Sequence, residues 1–145
     1  MADLTISTFN PIFDNAQLPP KMLSAPVAAD MTKGTPVKFN ADTGKFEKMA
    51  STDAAHLFAG LLTKDTKKGY MGVAFRGFAF ISDLGTLTLT QLIALSANAG
   101  KLANDQTGIL IARIVPLHQF GNLGNSVTKM IEIFDLPITI EAAAG

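Results

Sequence analysis

The sequence predicts a mainly β protein: a small β-barrel or β-sandwich core with an extended N-terminal arm and room for one or two short helices. Three observations lead there. Short alternating apolar and polar runs, separated by turn residues, fill the stretch from Met31 to His118. One hairpin-like motif occurs there twice. The first thirty residues carry prolines at 11, 19, 20 and 26 and show no sustained period. At 145 residues the chain is one ordinary domain, long enough to bury a core without disulfides or metals. It divides into an arm over 1–30, a core over 31–118 and a C-terminal extension over 119–145 that packs on the core or on a neighbour.

The arm is apolar for an extended segment, with Phe9, Ile12, Phe13, Leu18, Met22 and Leu23, where a solvated tail would be charged and poor in aromatics. Some surface must cover it, either its own domain or a neighbouring subunit. In "KGTPVKFNADTGKFEKM" (33–49), Val37 and Phe39 share a face, the loop Asn40 to Gly44 turns the chain, and Phe46 begins the return strand. The apolar run "HLFAGLLTKD" ends in a charged turn through Lys64, Lys67 and Lys68, which reads as a solvated loop. "YMGVAFRGFAFIS" then alternates with Met71, Val73 and Phe75 on one parity and Phe78 and Phe80 on the other. A one-residue bulge at Gly77 is expected to bring all five to one face.

The hairpin returns in "IALSANAGKL" (93–102), which aligns without gaps on "VKFNADTGKF" (37–46). Val37 matches Ile93, Phe39 matches Leu95, and Gly44-Lys45 match Gly100-Lys101. Each copy is followed by an apolar strand, "LFAGLL" or "ILIARI", as expected of one unit used twice. "LTLTQLIALSANAG" also fits helical spacing, with Thr88 or Thr90 as cap, but the internal match favours a strand. "GNSVTKMIEIFDLP" has Val127, Met130, Ile131 and Phe134 at helical spacing behind Asn125 or Ser126, while Ile131 and Ile133 suit a strand equally. After Pro137 an edge strand or extended tail is expected.

Composition narrows function. Twelve acidic and twelve basic residues balance, so no global field draws the chain to nucleic acid or an anionic membrane, and neither partner is expected. No apolar run approaches a membrane span of ~20 residues, and the start "MADLTISTFNP" lacks signal-peptide character. Cysteine is absent. His56 and His118 stand apart without a motif around them, and Asp42, Asp53, Asp65, Asp83 and Asp105 lie in turn contexts that explain them. The glycines of "GYMGVAFRG" and "FGNLGN" lack phosphate-loop spacing. No catalytic residue, metal site or cofactor is therefore expected. Arg76, between Phe75 and Phe78, is the cation placed to be half-buried, and it either pairs with a carboxylate at an interface or points to water.

In order along the chain, the apolar arm, "KGTPVKFNADTGKFEKM", "FAGLLTKD", "GVAFRGFAFI" and "LIALSANAGKL" resemble the small head-decoration, or capsid cement, proteins of tailed bacteriophages. The resemblance covers roughly residues 30 to 115, and the C-terminal segment has no counterpart in it. It implies a non-enzymatic virion protein, made in the host cytoplasm, that binds the outside of the expanded head and bridges major capsid protein subunits. It also implies a homo-oligomer, with a trimer favoured over a dimer. Phe9, Ile12, Phe13, Leu18 and Arg76 are the expected contacts to capsid or subunit. A surface adhesion module, a tail-tube or head-completion subunit, and a small β-barrel hydrolase or isomerase are the competing functions. The single tyrosine, Tyr70, and the lack of tryptophan give sugar stacking little to work with.

Overall fold

Eleven strands make two antiparallel sheets in the computed structural model, which describes residues 3–4, 6, 8–13, 20–81, 92–105, 107–115 and 129–141. Leu18, Asp83, Thr88, Thr90, His118, Asn125, Ser126 and Val127 lie outside the described residues. The strands are β1 (Phe9–Pro11), β2 (Lys21–Pro26), β3 (Pro36–Asn40), β4 (Lys45–Lys48), β5 (Phe58–Leu62), β6 (Met71–Arg76), β7 (Phe78–Ile81), β8 (Leu92–Leu95), β9 (Leu102–Ala103), β10 (Gly108–Ile114) and β11 (Lys129–Ile140). The fold is mainly β, as expected. A single 3-10 turn, Ala55–Leu57, is the helical element among the described residues.

One sheet has the order β2-β6-β5-β3-β4, and the other β1-β7-β11-β10-β8-β9. Leaving β1 aside, the second order repeats the first with every strand five places further on. The registers repeat as well. In the first sheet Pro36, Val37 and Lys38 lie opposite Leu61, Gly60 and Phe58; in the second, Leu92, Ile93 and Ala94 lie opposite Arg113, Ala112 and Leu110. Ala59 and Ile111 are thus the extra residues of equivalent β-bulges. The hairpins agree too, with Phe39 opposite Phe46 and Leu95 opposite Leu102. The repeat seen over ten residues of sequence extends to a five-stranded unit used twice, over 21–76 and 78–140.

Local chemistry sets the two turns. Asn40 Oδ1 accepts the Asp42 N–H at 2.9 Å, and Ser96 Oγ accepts the Asn98 N–H at 3.0 Å, so each loop opens on a side chain standing in for backbone. Gly44 and Gly100 close the loops with φ of 69° and 81°. A left-handed residue is needed there, and glycine adopts it without a Cβ clash.

The first sheet curls into a half-barrel. Val27, just past β2, forms a parallel bridge to Phe46 of β4, and the Ala28 N–H donates to the Phe46 carbonyl at 2.9 Å. Inside the curl Val27, Val37, Phe46, Ala59, Leu62 and Ala74 pack together. A larger cluster fills the space between the sheets, joining Phe58, Leu61 and Phe75 of the first to Ile81, Ile93, Ile111 and Ile131 of the second. Strand β5 serves both cores because the bulge at Ala59-Gly60 shifts its alternation: Phe58 and Leu61 face the second sheet, while Ala59 and Leu62 face the curl.

At Gly77 the structure differs from the expected bulge. With φ of 145°, Gly77 is a corner at which the chain leaves the first sheet as β6 and enters the second as β7. Met71, Val73, Phe75, Phe78 and Phe80 do not share one buried face. Phe75 is fully buried, Met71 is exposed, and Val73, Phe78 and Phe80 are half-buried; the small residues Gly72, Ala74 and Ala79 are buried instead. Space decides this. A Cβ on Gly72 would stand 2.9 Å from side-chain carbons of Leu62 and Val27, so the curl admits nothing large at that position.

Residues 129–134, open between helix and strand in the sequence, are strand, because Met130 and Ile131 pair with Phe80 and Ala79. Where β7 ends at the Gly77 corner, β11 loses that neighbour. Phe134 to Pro137 then loop outward: Ala112 lies opposite Ile133, but Leu110 lies opposite Ile138. Pro137 sits in this bulge, where its missing donor costs no ladder bond, and residues 138–140 rejoin β10.

Candidate interaction surface

The described part of the N-terminal segment is built into the chain's own sheets. Asp3 bridges Ala103, the Leu4 N–H donates to the Leu102 carbonyl at 2.8 Å, and β1 pairs with β7. Phe9 is 2% exposed and meets Phe75 edge to face at 6.3 Å. As an expected contact residue it is spent inside the molecule, where it anchors the segment. Ile12 is half-buried, with its N–H on the Phe78 carbonyl at 2.9 Å. Phe13 packs edge to face on Phe75 at 5.5 Å yet remains 54% exposed. Of the described aromatic residues of this segment, Phe13 presents a free ring face.

Arg76, at the end of β6, is half-buried. Its Nη1 donates to the main-chain carbonyl of Asp135 at 2.9 Å, and its Nε is buried without a partner among the described residues. The Asp135 carboxylate pairs with Lys21. These contacts tie the outward loop of β11 to the start of β2. Between them lies a groove of about 390 Å³ lined by Pro20, Lys21, Gly77, Ile133, Phe134 and Leu136, among others. Leu136 is 68% exposed, and Met22, Leu23 and Ile138 stand exposed nearby or on the same elements. The sequence gives no sign that Leu136 and Ile138 stand exposed, because a strand pattern does not report that four residues leave the ladder.

Titratable groups cluster elsewhere, in structural roles. Lys38 Nζ reaches Asp53 Oδ1 at 2.5 Å and Glu47 Oε1 at 3.9 Å, bracing the first hairpin against the loop before β5. Burial works to raise the Asp53 carboxyl, but Lys38 and the Ala50 N–H at 2.8 Å outweigh it and leave it below the usual carboxylate range. Asp3 is also lowered, first by Ser96 Oγ at 2.5 Å and then by the Asn98 amide at 2.8 Å. His56 is exposed in the 3-10 turn. Among the described residues, no three His, Asp or Glu side chains are placed to hold a metal ion.

Comparison with protein-family models, with curated proteins and with solved structures finds no match to this chain.

Proposed function

We propose that this chain is a structural virion protein that binds the outside of an expanded phage head and stabilises it by bridging major capsid protein subunits. The carrying observation is the duplicated unit. The hairpins on which the resemblance to head-decoration proteins rests occupy equivalent places in two sheets that share one core. A doubly cored β scaffold of this kind suits a protein that must hold its shape under load. Its interaction surface is the apolar ground around Phe13, Arg76, Leu136 and Ile138. Each apolar side chain among them, if fully covered on binding, contributes roughly 1.5 to 3 kcal/mol, and a homo-oligomer engaging several capsid subunits at once multiplies modest contacts into avidity.

Co-sedimentation with expanded, undecorated heads, with unexpanded heads as control, tests this reading. The expected result is saturable binding to expanded heads alone, in fixed ratio to capsid subunits, weakened at least tenfold by Leu136→Asp. Absence of binding to either form sinks the proposal.

A further inference from the structure

Each sheet has two edges, and three of the four are protected. Edge β4 is the charged "KFEK" and is bridged by Val27; β9 is two residues long and carries Asp3 and Leu4; β1 is three residues long and ends in proline. Strand β2 is different. It runs six residues, pairs with β6 on one side, and has no strand on the other among the described residues. Its middle, Met22-Leu23-Ser24, is exposed, with Met22 51% and Leu23 41% open. In the duplicated architecture β2 corresponds to β7, and the outer side of β7 is taken by β1 in antiparallel pairing. The fold therefore shows, in its other half, what this position accepts.

The hydrogen-bond phase of β2 sets the register in which a second copy would pair. The Val27 N–H donates to Tyr70 and the Val27 carbonyl accepts from Gly69, so Ala25, Leu23 and Lys21, of the same parity, turn their backbone groups toward β6. Val73, opposite Ser24, has its carbonyl engaged by the Thr63 N–H on the β5 side, in keeping with this phase. Met22 and Ser24 consequently turn their N–H and C=O groups outward. Pro26, of the same outward parity, has no donor to leave unpaired. A two-fold axis at Leu23 places Met22 of one strand opposite Ser24 of an identical one, and each pair exchanges both its bonds. The outward donors of Met22 and Ser24 are then satisfied by a second β2, and Pro26, which has no donor, falls opposite Pro20, which has none either.

We propose that two copies of the chain associate through β2, antiparallel about a two-fold axis at Leu23, joining the two half-barrel sheets into one continuous sheet. The inference stands apart from the capsid reading and replaces the trimer implied by the resemblance with a dimer. A stable interface needs about 800 Å² per partner, more than a short ladder supplies. The exposed side chains of Met22 and Leu23 on β2 itself, with Met71 opposite Pro26, supply the remainder.

The test is the solution mass of the full chain across concentration, together with two variants. The wild type is expected at twice the 15.3 kDa of one chain. Ser24→Pro removes an outward donor while leaving the β2-β6 ladder intact, and is expected to shift the mass to one chain with an unchanged far-UV spectrum. Because the chain has no cysteine, Leu23→Cys gives a single thiol. Facing residues of a non-hydrogen-bonded antiparallel pair have Cα atoms about 4.5 Å apart, within disulfide range. Under mild oxidant Leu23→Cys should become a covalent dimer at least tenfold faster than Ala41→Cys, placed in the remote β3-β4 turn. A monomeric or trimeric wild type, a dimer untouched by a folded Ser24→Pro, or equal cross-linking of the two cysteine variants would each overturn the proposal. Should Ser24→Pro fail to fold, the cysteine pair decides alone.

Discussion

The two five-stranded units share a strand order, a hairpin register and a bulge, and they differ in how they are completed. The first closes on itself, since Val27 reaches across to Phe46 and the sheet curls around its own small core. The second is completed by segments from the N-terminus, with β1 on β7 and Asp3-Leu4 on β9. The hairpins are braced differently as well. Lys38 holds the first through Asp53, whereas Ala94 occupies the Lys38 position in the second, where Asp3 grips Ser96 and Asn98 instead. Local turn and bulge chemistry therefore suffices to repeat the topology. Closure depends on which stretch of chain is within reach. The described N-terminal residues complete only the second unit, and among the described residues no strand lies on the outer side of β2.

The bulges give the sharpest way to break the comparison. Gly60 has φ of 136°, and a Cβ there would lie 2.5 Å from the Phe75 carbonyl oxygen, whereas its counterpart in the second unit is Ala112. Gly60→Ala is expected to cost about 3 kcal/mol or more. Ala112→Gly should cost only about 1 kcal/mol. Urea unfolding of both variants checks the asymmetry, and equal losses would mean that the two bulges carry the same strain.

The turn glycines should behave more nearly alike. Gly44→Ala meets open space, but its φ of 69° is unfavourable for alanine, so a loss of about 1 kcal/mol is expected from backbone strain alone. Gly100→Ala adds contact with the Lys48 side chain at 3.0 Å, and its loss should be equal or slightly larger because that chain can move aside. Thermal midpoints of the pair measure how closely the repeat extends to energetics.

The smallest effect concerns the bracing of the first hairpin. The folded Asp53 carboxyl lies below its ordinary value of 3.8, so its contribution is present above that pH and is lost as pH falls through the lowered value. Asp53→Asn should cost about 1 kcal/mol at neutral pH, and its stability curve should converge with that of the wild type in acid. Asp3 titrates in the same direction in the second unit, so part of the acid sensitivity must survive in Asp53→Asn. A wholly flat acid limb in that variant would assign the entire effect to the first unit.

Much of the architecture was legible in the chain. Asn40 to Gly44 and Ser96 to Gly100 specify turns through their own side chains and left-handed glycines, and the gapless match between the hairpins pointed to a repeated unit. The candidate surface was legible only in part. Phe9 and Phe13 are the same residue type four positions apart, yet one is sealed against Phe75 and the other is half open. Nothing local separates them. Gly77 read as a bulge because alternation reports parity along a strand and does not record a change of sheet.

By itself, then, the sequence determined the β class, the two hairpins and their repetition, because these rest on interactions among residues within about ten positions of one another. The tertiary structure alone decided the Gly77 corner, the outward loop at 134–137, the burial of Phe9 and the exposure of Met22 and Leu23 on β2. Each of these depends on what lies across the sheet, and a residue's neighbours in space are set only when distant strands compete for the same partner.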